Sequence, residues 1–196
     1  MTKLLMRYLL LFPLLALLSA CKTDYANLPT YSANKQLQAV IETPAGSSQP
    51  LRYDRQTKAF VPVKEAGKEQ VIAYLPYPAN FGFIPSTEVS SSGEGLEVLV
   101  LAGSREPGTV LEVIPLGVLQ LETAGELEHI IVAIPARPSE QTIATADFSS
   151  FSRQYPTVKY MLQTWFAHHN PTARTNFVGW RDNRFADEEI QRWMKL

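Results

Sequence analysis

The chain is nearly devoid of cysteine. Cys21 is its single thiol, so no disulfide can form within one copy and the sulfur needs another use. A dominant charge of one sign is equally lacking. The formal net charge is −1, which removes the electrostatic case for nucleic acid as a partner. Long hydrophobic runs are missing too: Leu9 to Leu18 is apolar but interrupted by Pro13, and a bilayer span needs about 20 such residues. No segment repeats, so the chain reads as one domain and not an array.

The N-terminus accounts for both the short apolar run and the lone thiol. Lys3 and Arg7 place positive charge ahead of the run, the pattern of a secretory signal over residues 1–20. Leu18-Ser19-Ala20-Cys21 resembles the bacterial lipobox, in which the Cys is lipidated and becomes the new N-terminus. Acyl chains on Cys21 would hold the domain at a membrane, since each buried CH₂ contributes about 0.8 kcal/mol. Lys22, not Asp, follows, so the inner-membrane retention signal is missing. The expected location is therefore the bacterial cell envelope, lipid-anchored, on the periplasmic face of the outer membrane. Residues 21–35 are polar and aperiodic and read as a lipidated N-terminus and tether. Residues 36–196 are long enough for one domain with its own core.

That domain opens with short runs rich in β-branched residues. They are Leu37–Glu42, Leu51–Arg55, Ala59–Val63, Val71–Tyr74, Glu97–Leu101, Val110–Ile114, Gly117–Leu121 and Ile130–Ile134. Such spacing, with turn residues between, predicts a barrel or sandwich. The last third changes period. Val158, Met161, Leu162, Trp165 and Phe166 fall on one helical face, after Pro156 and before Asn170-Pro171. A second helix is predicted over Asp187–Met194, with Asp187, Glu188 and Glu189 in its first turn and Ile190, Trp193 and Met194 as its buried stripe. The fold class is α+β, strands first and helices packed on them.

Several motifs occur in an order that resembles the family I soluble inorganic pyrophosphatases. Ala39-Val40-Ile41-Glu42-Thr43-Pro44 is similar to the family's opening strand, and Leu51-Arg52-Tyr53-Asp54 to the strand bearing a Lys and a Glu. Tyr77-Pro78-Ala79-Asn80-Phe81-Gly82-Phe83-Ile84 resembles its Tyr-Pro-x-Asn-Tyr-Gly-Tyr-Ile loop, the most specific match. Gly93-Glu94-Gly95-Leu96-Glu97-Val98 stands where the family has its Asp-rich metal loop. Pro107-Gly108, Pro115-Leu116-Gly117-Val118-Leu119, Phe166-Ala167-His168-His169 and Val178-Gly179-Trp180 continue the series. The resemblance implies a closed five-stranded OB-like β-barrel with C-terminal α-helices packed on it. It also implies Mg²⁺-dependent hydrolysis of diphosphate, with Mn²⁺ an alternative ion, and leaves a homo-oligomer open.

Diphosphate chemistry needs cations to neutralise developing charge, and Mg²⁺ takes hard carboxylate oxygens. By the resemblance, Glu42, Asp54, Glu94, Glu97 and Glu128 are the metal-binding acids, with Glu94 and Glu97 the catalytic candidates. Arg52, Tyr77 and Lys68 are the phosphate-binding candidates, Lys68 only if the alignment shifts by one from Glu69. The site departs from the family pattern. Its first loop Asp becomes Ser91 or Ser92, two others become Glu94 and Glu97, and Phe81 replaces a Tyr. A later Asp, Asp and Lys fall on Thr123, Glu128 and Ile130, or after a one-residue slip the first Asp on Glu122 and the Lys on His129. The family's Tyr-Lys pair falls on His169-Asn170. Impaired or lost catalysis is expected, and a non-catalytic envelope lipoprotein that reuses the barrel for binding is the alternative.

Overall fold

A computed structural model of the chain describes residues 22–72, 75–89, 93–145, 147–170 and 172–195. The signal segment, Cys21, Ser91 and Ser92 lie outside the described residues.

Five strands form a closed ring. β1 (Leu37–Thr43) pairs with β6 (Asn80–Ile84), which pairs with β7 (Leu96–Val100). β7 runs parallel to β9 (Glu126–Pro135), and β9 pairs with β8 (Val110–Thr123). β8 returns to β1 through Leu37↔Val113 and Val40↔Val110, which closes the barrel. A closed ring leaves none of its five members with an unpaired edge. β10 (Thr175–Asp182) extends the sheet from the far half of β8. β2 (Leu51–Asp54) and β3 (Ala59–Pro62) form a separate hairpin, and β4 (Lys64–Glu65) and β5 (Lys68–Glu69) a smaller one.

The expected strands at Val110–Ile114 and Gly117–Leu121 are one strand. β8 bends where its register with β9 shifts between Pro115 and Gly117, so its first half serves β1 and its second half β10. Gly117 is required there, because a Cβ would fall 2.5 Å from the Arg181 carbonyl oxygen. The motif around Gly82, expected as a loop, is strand β6. Its glycine answers a second close approach: a Cβ on Gly82 would lie 1.9 Å from the Val40 carbonyl oxygen on β1. The strand expected over Val71–Tyr74 does not form at Val71 and Ile72, and Ala73 and Tyr74 lie outside the described residues.

The helices are α1 (Phe148–Gln154), α2 (Pro156–His168) and α3 (Asn183–Trp193). α1, absent from the sequence expectation, starts where Asp147 caps the Ser150 N–H. On α2 the buried residues are Leu162, Trp165 and Phe166, while Met161 is 60 % exposed, so the helix is rolled away from the stripe the sequence suggested. α3 starts four residues earlier than expected. Asp182 is its cap, accepting from the Phe185 N–H, so Asp187–Glu189 lie in its body and not its first turn.

Successive strand residues point to opposite faces, and each face has its own core. Ile41, Val98, Val100 and Ile131 pack with Ala186 and Ile190 of α3. Leu99, Leu119, Ile130, Val132 and Ile134 pack with Phe151, Leu162, Trp165 and Phe166 of α1 and α2. A third cluster, Val40, Tyr53 and Phe83, is covered by Ala26 and Tyr25. The segment expected to be a free tether therefore lies on the barrel.

Gly82→Ala is expected to cost about 1–3 kcal/mol or more, because backbone and not a flexible side chain occupies the space. Urea unfolding followed by circular dichroism measures it.

Candidate active site

Strand alternation brings three acids to one face. On β7, Leu96 and Val98 turn to the α3 core, so Glu97 and Leu99 share the opposite side. On β9, Glu128 shares that side with Ile130 and Val132. On β1, Glu42 lies two residues beyond Val40 and so shares its face, beneath the N-terminal segment.

Glu42 is 9 % exposed, and its Oε1 accepts a 2.6 Å hydrogen bond from the Tyr53 N–H. Burial pushes its pKa up to about 7, against the opposing pull of that hydrogen bond and of Arg52. Glu97 is exposed to solvent, although protein groups crowd around its carboxyl. Burial, then the charges of Glu128, Glu42 and Glu94, push its pKa up to about 8. The site is thus a wetted recess, and its water screens part of that repulsion. Glu128 is also raised, first by burial, with partial relief from the Thr123 hydroxyl that donates to it at 3.1 Å.

The remaining candidates are held differently. Glu94 pairs with Arg52 at 3.2 Å, both side chains more than half exposed; such a pair contributes about 0–1 kcal/mol. Asp54 Oδ1 accepts from the Gln56 and Thr57 N–H groups at 2.8 and 2.9 Å, and the Thr57 bond leads the lowering of its pKa. Its carboxylate closes the β2–β3 turn. Tyr77 packs on Phe81 and Trp165 with ring centroids 5.6 and 4.7 Å away. Burial, then Glu97 and Glu42, raise its hydroxyl pKa, which keeps it a proton donor. Lys68 stands on the exposed β4–β5 hairpin opposite Glu65.

Register decides between the two alignments of the β8–β9 turn. Leu121 pairs with Glu128 and Thr123 with Glu126, so Thr123 and Glu128 face the recess. Glu122 and His129 face the other way, and His129 Nδ1 lies 2.9 Å from Glu189 Oε2 on α3. Ile130, where the family has a Lys, is 2 % exposed in the α2 core. His169 stacks on Trp165 at 4.4 Å, and burial lowers its pKa.

One residue of the recess escaped the sequence reading. Arg55 acts on Glu42 together with Arg52 and donates to the Thr87 carbonyl at 3.5 Å. The Arg52-x-x-Arg55 spacing, from β2 into the start of its turn, was the available signal.

Among the described residues, no three of His, Cys, Asp and Glu converge closely enough to hold an ion by themselves. The donors are nevertheless all carboxylate oxygens, and three acids but no cation act on Glu97. That suits Mg²⁺, which is commonly held by one or two carboxylates with water and phosphate oxygens completing its shell.

The barrel is that of a known fold. The chain superposes on the crystal structure of inorganic pyrophosphatase from Thermus thermophilus with a TM-score of 0.73 and 26 % identity, covering 88 % of this chain and 97 % of that one. It is 27 % identical over 164 residues to an inorganic pyrophosphatase of Mesorhizobium japonicum, covering 80 % of this chain and 86 % of the relative. With that of Rickettsia prowazekii it shares 28 % over 166 residues, covering 81 % and 90 %. The sequence profile of inorganic pyrophosphatase matches residues 39–196, and the chain belongs to that family.

Glu42 and Glu97 bind protons more tightly folded than unfolded, because both pKa values lie above the ordinary 4.5. The stability this supplies is complete below about pH 4.5 and is lost as pH rises through about 7 and 8. In chelator, the protein is therefore expected to melt lower at about pH 9 than at about pH 5, and Glu97→Gln to flatten the upper part of the curve. Thermal melts across that range check it.

Proposed function

We propose that this chain is a lipid-anchored hydrolase of diphosphate, slower than its family's usual members. The observation that carries the reading is Glu97, placed among Glu128, Glu42 and Glu94 and beside Tyr77. The charges of Glu128, Glu42 and Glu94 all act to keep Glu97 protonated, and a divalent ion beside it would oppose them.

Glu97 and Glu42 are the residues best placed to hold Mg²⁺ or Mn²⁺, with Glu128 and Glu94 beside them. Asp54 joins the set only by releasing its turn. The ion supplies neutralisation of phosphate charge and a bound water of lowered pKa. The chain supplies the rest. Arg52 offers a planar fork matched to phosphate oxygens, and Arg55 adds a second positive charge beside Glu42. Tyr77 keeps its proton and donates it to an anionic oxygen. Glu97, once ionised, would use a carboxylate oxygen not engaged by the ion to accept a proton from an attacking water. Lys68 reaches substrate only if the β4–β5 hairpin moves.

The reduced rate follows from the substitutions. Phe81 has no hydroxyl, and Ile130 is packed in the core where a cation is usual. Longer acids at Glu94 and Glu97 shift each carboxylate, and misplacement of about 1 Å costs on the order of 10²-fold. A second reading, a non-catalytic envelope protein, is favoured by one contact. Arg52 and Glu94 satisfy each other, which ties up a phosphate ligand and a metal ligand at once. The lipobox resemblance of Leu18–Cys21 supports anchoring at the outer membrane's periplasmic face.

Purified protein with Mg²⁺ or Mn²⁺ is expected to release phosphate from diphosphate, and Glu97→Gln to lower that rate by about 10²-fold. Equal rates for the two proteins establish the non-catalytic reading instead. Mass spectrometry of the N-terminal peptide is expected to show acylated Cys21, and Cys21→Ala to move the protein from the membrane to the soluble fraction.

A further inference from the structure

Residues 22–31 precede the family-matched region and make a continuous series of contacts along one side of the barrel. Lys22 Nζ donates to the Thr57 carbonyl at 2.9 Å, and Asp24 pairs with Lys58 at 3.0 Å, both at the β2–β3 turn. Ala26 is 2 % exposed, and its carbonyl accepts from the Ser86 N–H. Thr30, 5 % exposed, donates its hydroxyl proton to the Pro85 carbonyl.

Tyr25 is the centre of this contact. Its ring lies 5.5 Å edge-on to Tyr53 and 5.3 Å from Phe60, and its hydroxyl fills the space above Gly108. Its N–H donates to the Tyr53 hydroxyl at 3.2 Å, and that hydroxyl donates to the Thr23 carbonyl at 3.1 Å. Tyr53 is thus gripped at its ring and hydroxyl by the N-terminal segment. The same residue's backbone N–H holds Glu42, and its neighbour Arg52 faces Glu94.

We propose that residues 22–31 are a clasp that aims the recess, with Tyr25 a positioning residue acting on Glu42 and Arg52 through Tyr53. The β2–β3 hairpin supports this need: it pairs with no strand of the barrel ring, so its position relies on side-chain contacts. The metal-binding consequence rests on the diphosphatase reading. The mechanical link from Tyr25 to the Tyr53–Glu42 bond does not.

The experiment compares the full chain with Tyr25→Ala and Tyr25→Phe, the latter retaining the ring and the backbone donor. Hydrogen exchange at the Tyr53 amide is expected to quicken about tenfold in Tyr25→Ala and to stay unchanged in Tyr25→Phe. Amides of β8 and β9 should keep their protection in both. Titration calorimetry is expected to show Mn²⁺ binding weakened by a similar factor in Tyr25→Ala and restored in Tyr25→Phe. Should Tyr25→Ala not fold, Asp24→Ala, which removes the pair with Lys58 and the hydrogen bond from the Asn27 amide, should show the same changes at smaller amplitude. A folded variant that melts earlier, yet keeps the Tyr53 amide slow and Mn²⁺ binding intact, makes the segment mere packing and overturns the proposal. If the parent binds no Mn²⁺ at all, the diphosphatase reading fails, and the Tyr53 exchange rate alone still decides for or against the clasp.

Discussion

The pairing of β1 with two partners at once is the constraint on which the rest depends. β1 meets β6 on one side and β8 on the other, and this double contact closes the ring. It also carries Glu42 over the face that already holds Glu97 and Glu128. Without closure, the three strands would present their acids to separate stretches of solvent, where like charges cost little. Closure is possible only because two backbones approach unusually closely, at Gly82 against Val40 and at Gly117 against Arg181. The glycines of the sequence motifs are therefore part of the site, although neither touches it.

Crowding acids in a recess is costly, and the chain accepts the cost unevenly. Glu94 pairs with Arg52, and Asp54 accepts from two backbone N–H groups that lower its pKa. Glu42 has the Tyr53 N–H and the pull of Arg52, but burial outweighs both and it resists ionisation, as does Glu97. The contrast with Glu189 is instructive. That acid is 1 % exposed but has His129 and the Trp193 indole on Oε2, and the Arg192 guanidinium 2.8 Å from Oε1, out of line for a hydrogen bond. It fastens α3 to β9 and belongs to the fold, not to the recess.

Much of the architecture was legible because the signals were local. Alternating or continuous β-branched runs marked β1, β7 and β9, and Pro156, the first residue of α2, marked its start. The signals failed where partners decide the outcome. β6 has a glycine and an asparagine in place of a β-branched run, and it is a strand because β1 and β7 flank it. Asn80 is tolerated there since its amide bonds the Ala45 and Arg105 N–H groups and the carbonyls of Val100, Ala102 and Gly103. β10 was not among the strands expected from the sequence, and it forms on the half of β8 that β1 leaves free. Asp187–Glu189 looked like a helix start because they suit a dipole, but Asp182 supplied the stronger cap.

The sequence alone determined the class of chemistry: carboxylates, an arginine and a tyrosine in a family order, on a chain with one thiol near its start. Residue type and spacing suffice for that, because they set which ions and anions the chain can attract. Only the tertiary structure decided which acids meet. Side-chain direction on a strand depends on register, and a shift of one residue sends a group to the opposite face. Register put Glu128 beside Glu97 and turned His129 to α3, while turn geometry engaged Asp54 elsewhere. It also placed residues 22–31, featureless as a string of polar letters, against the one aromatic residue that holds Glu42.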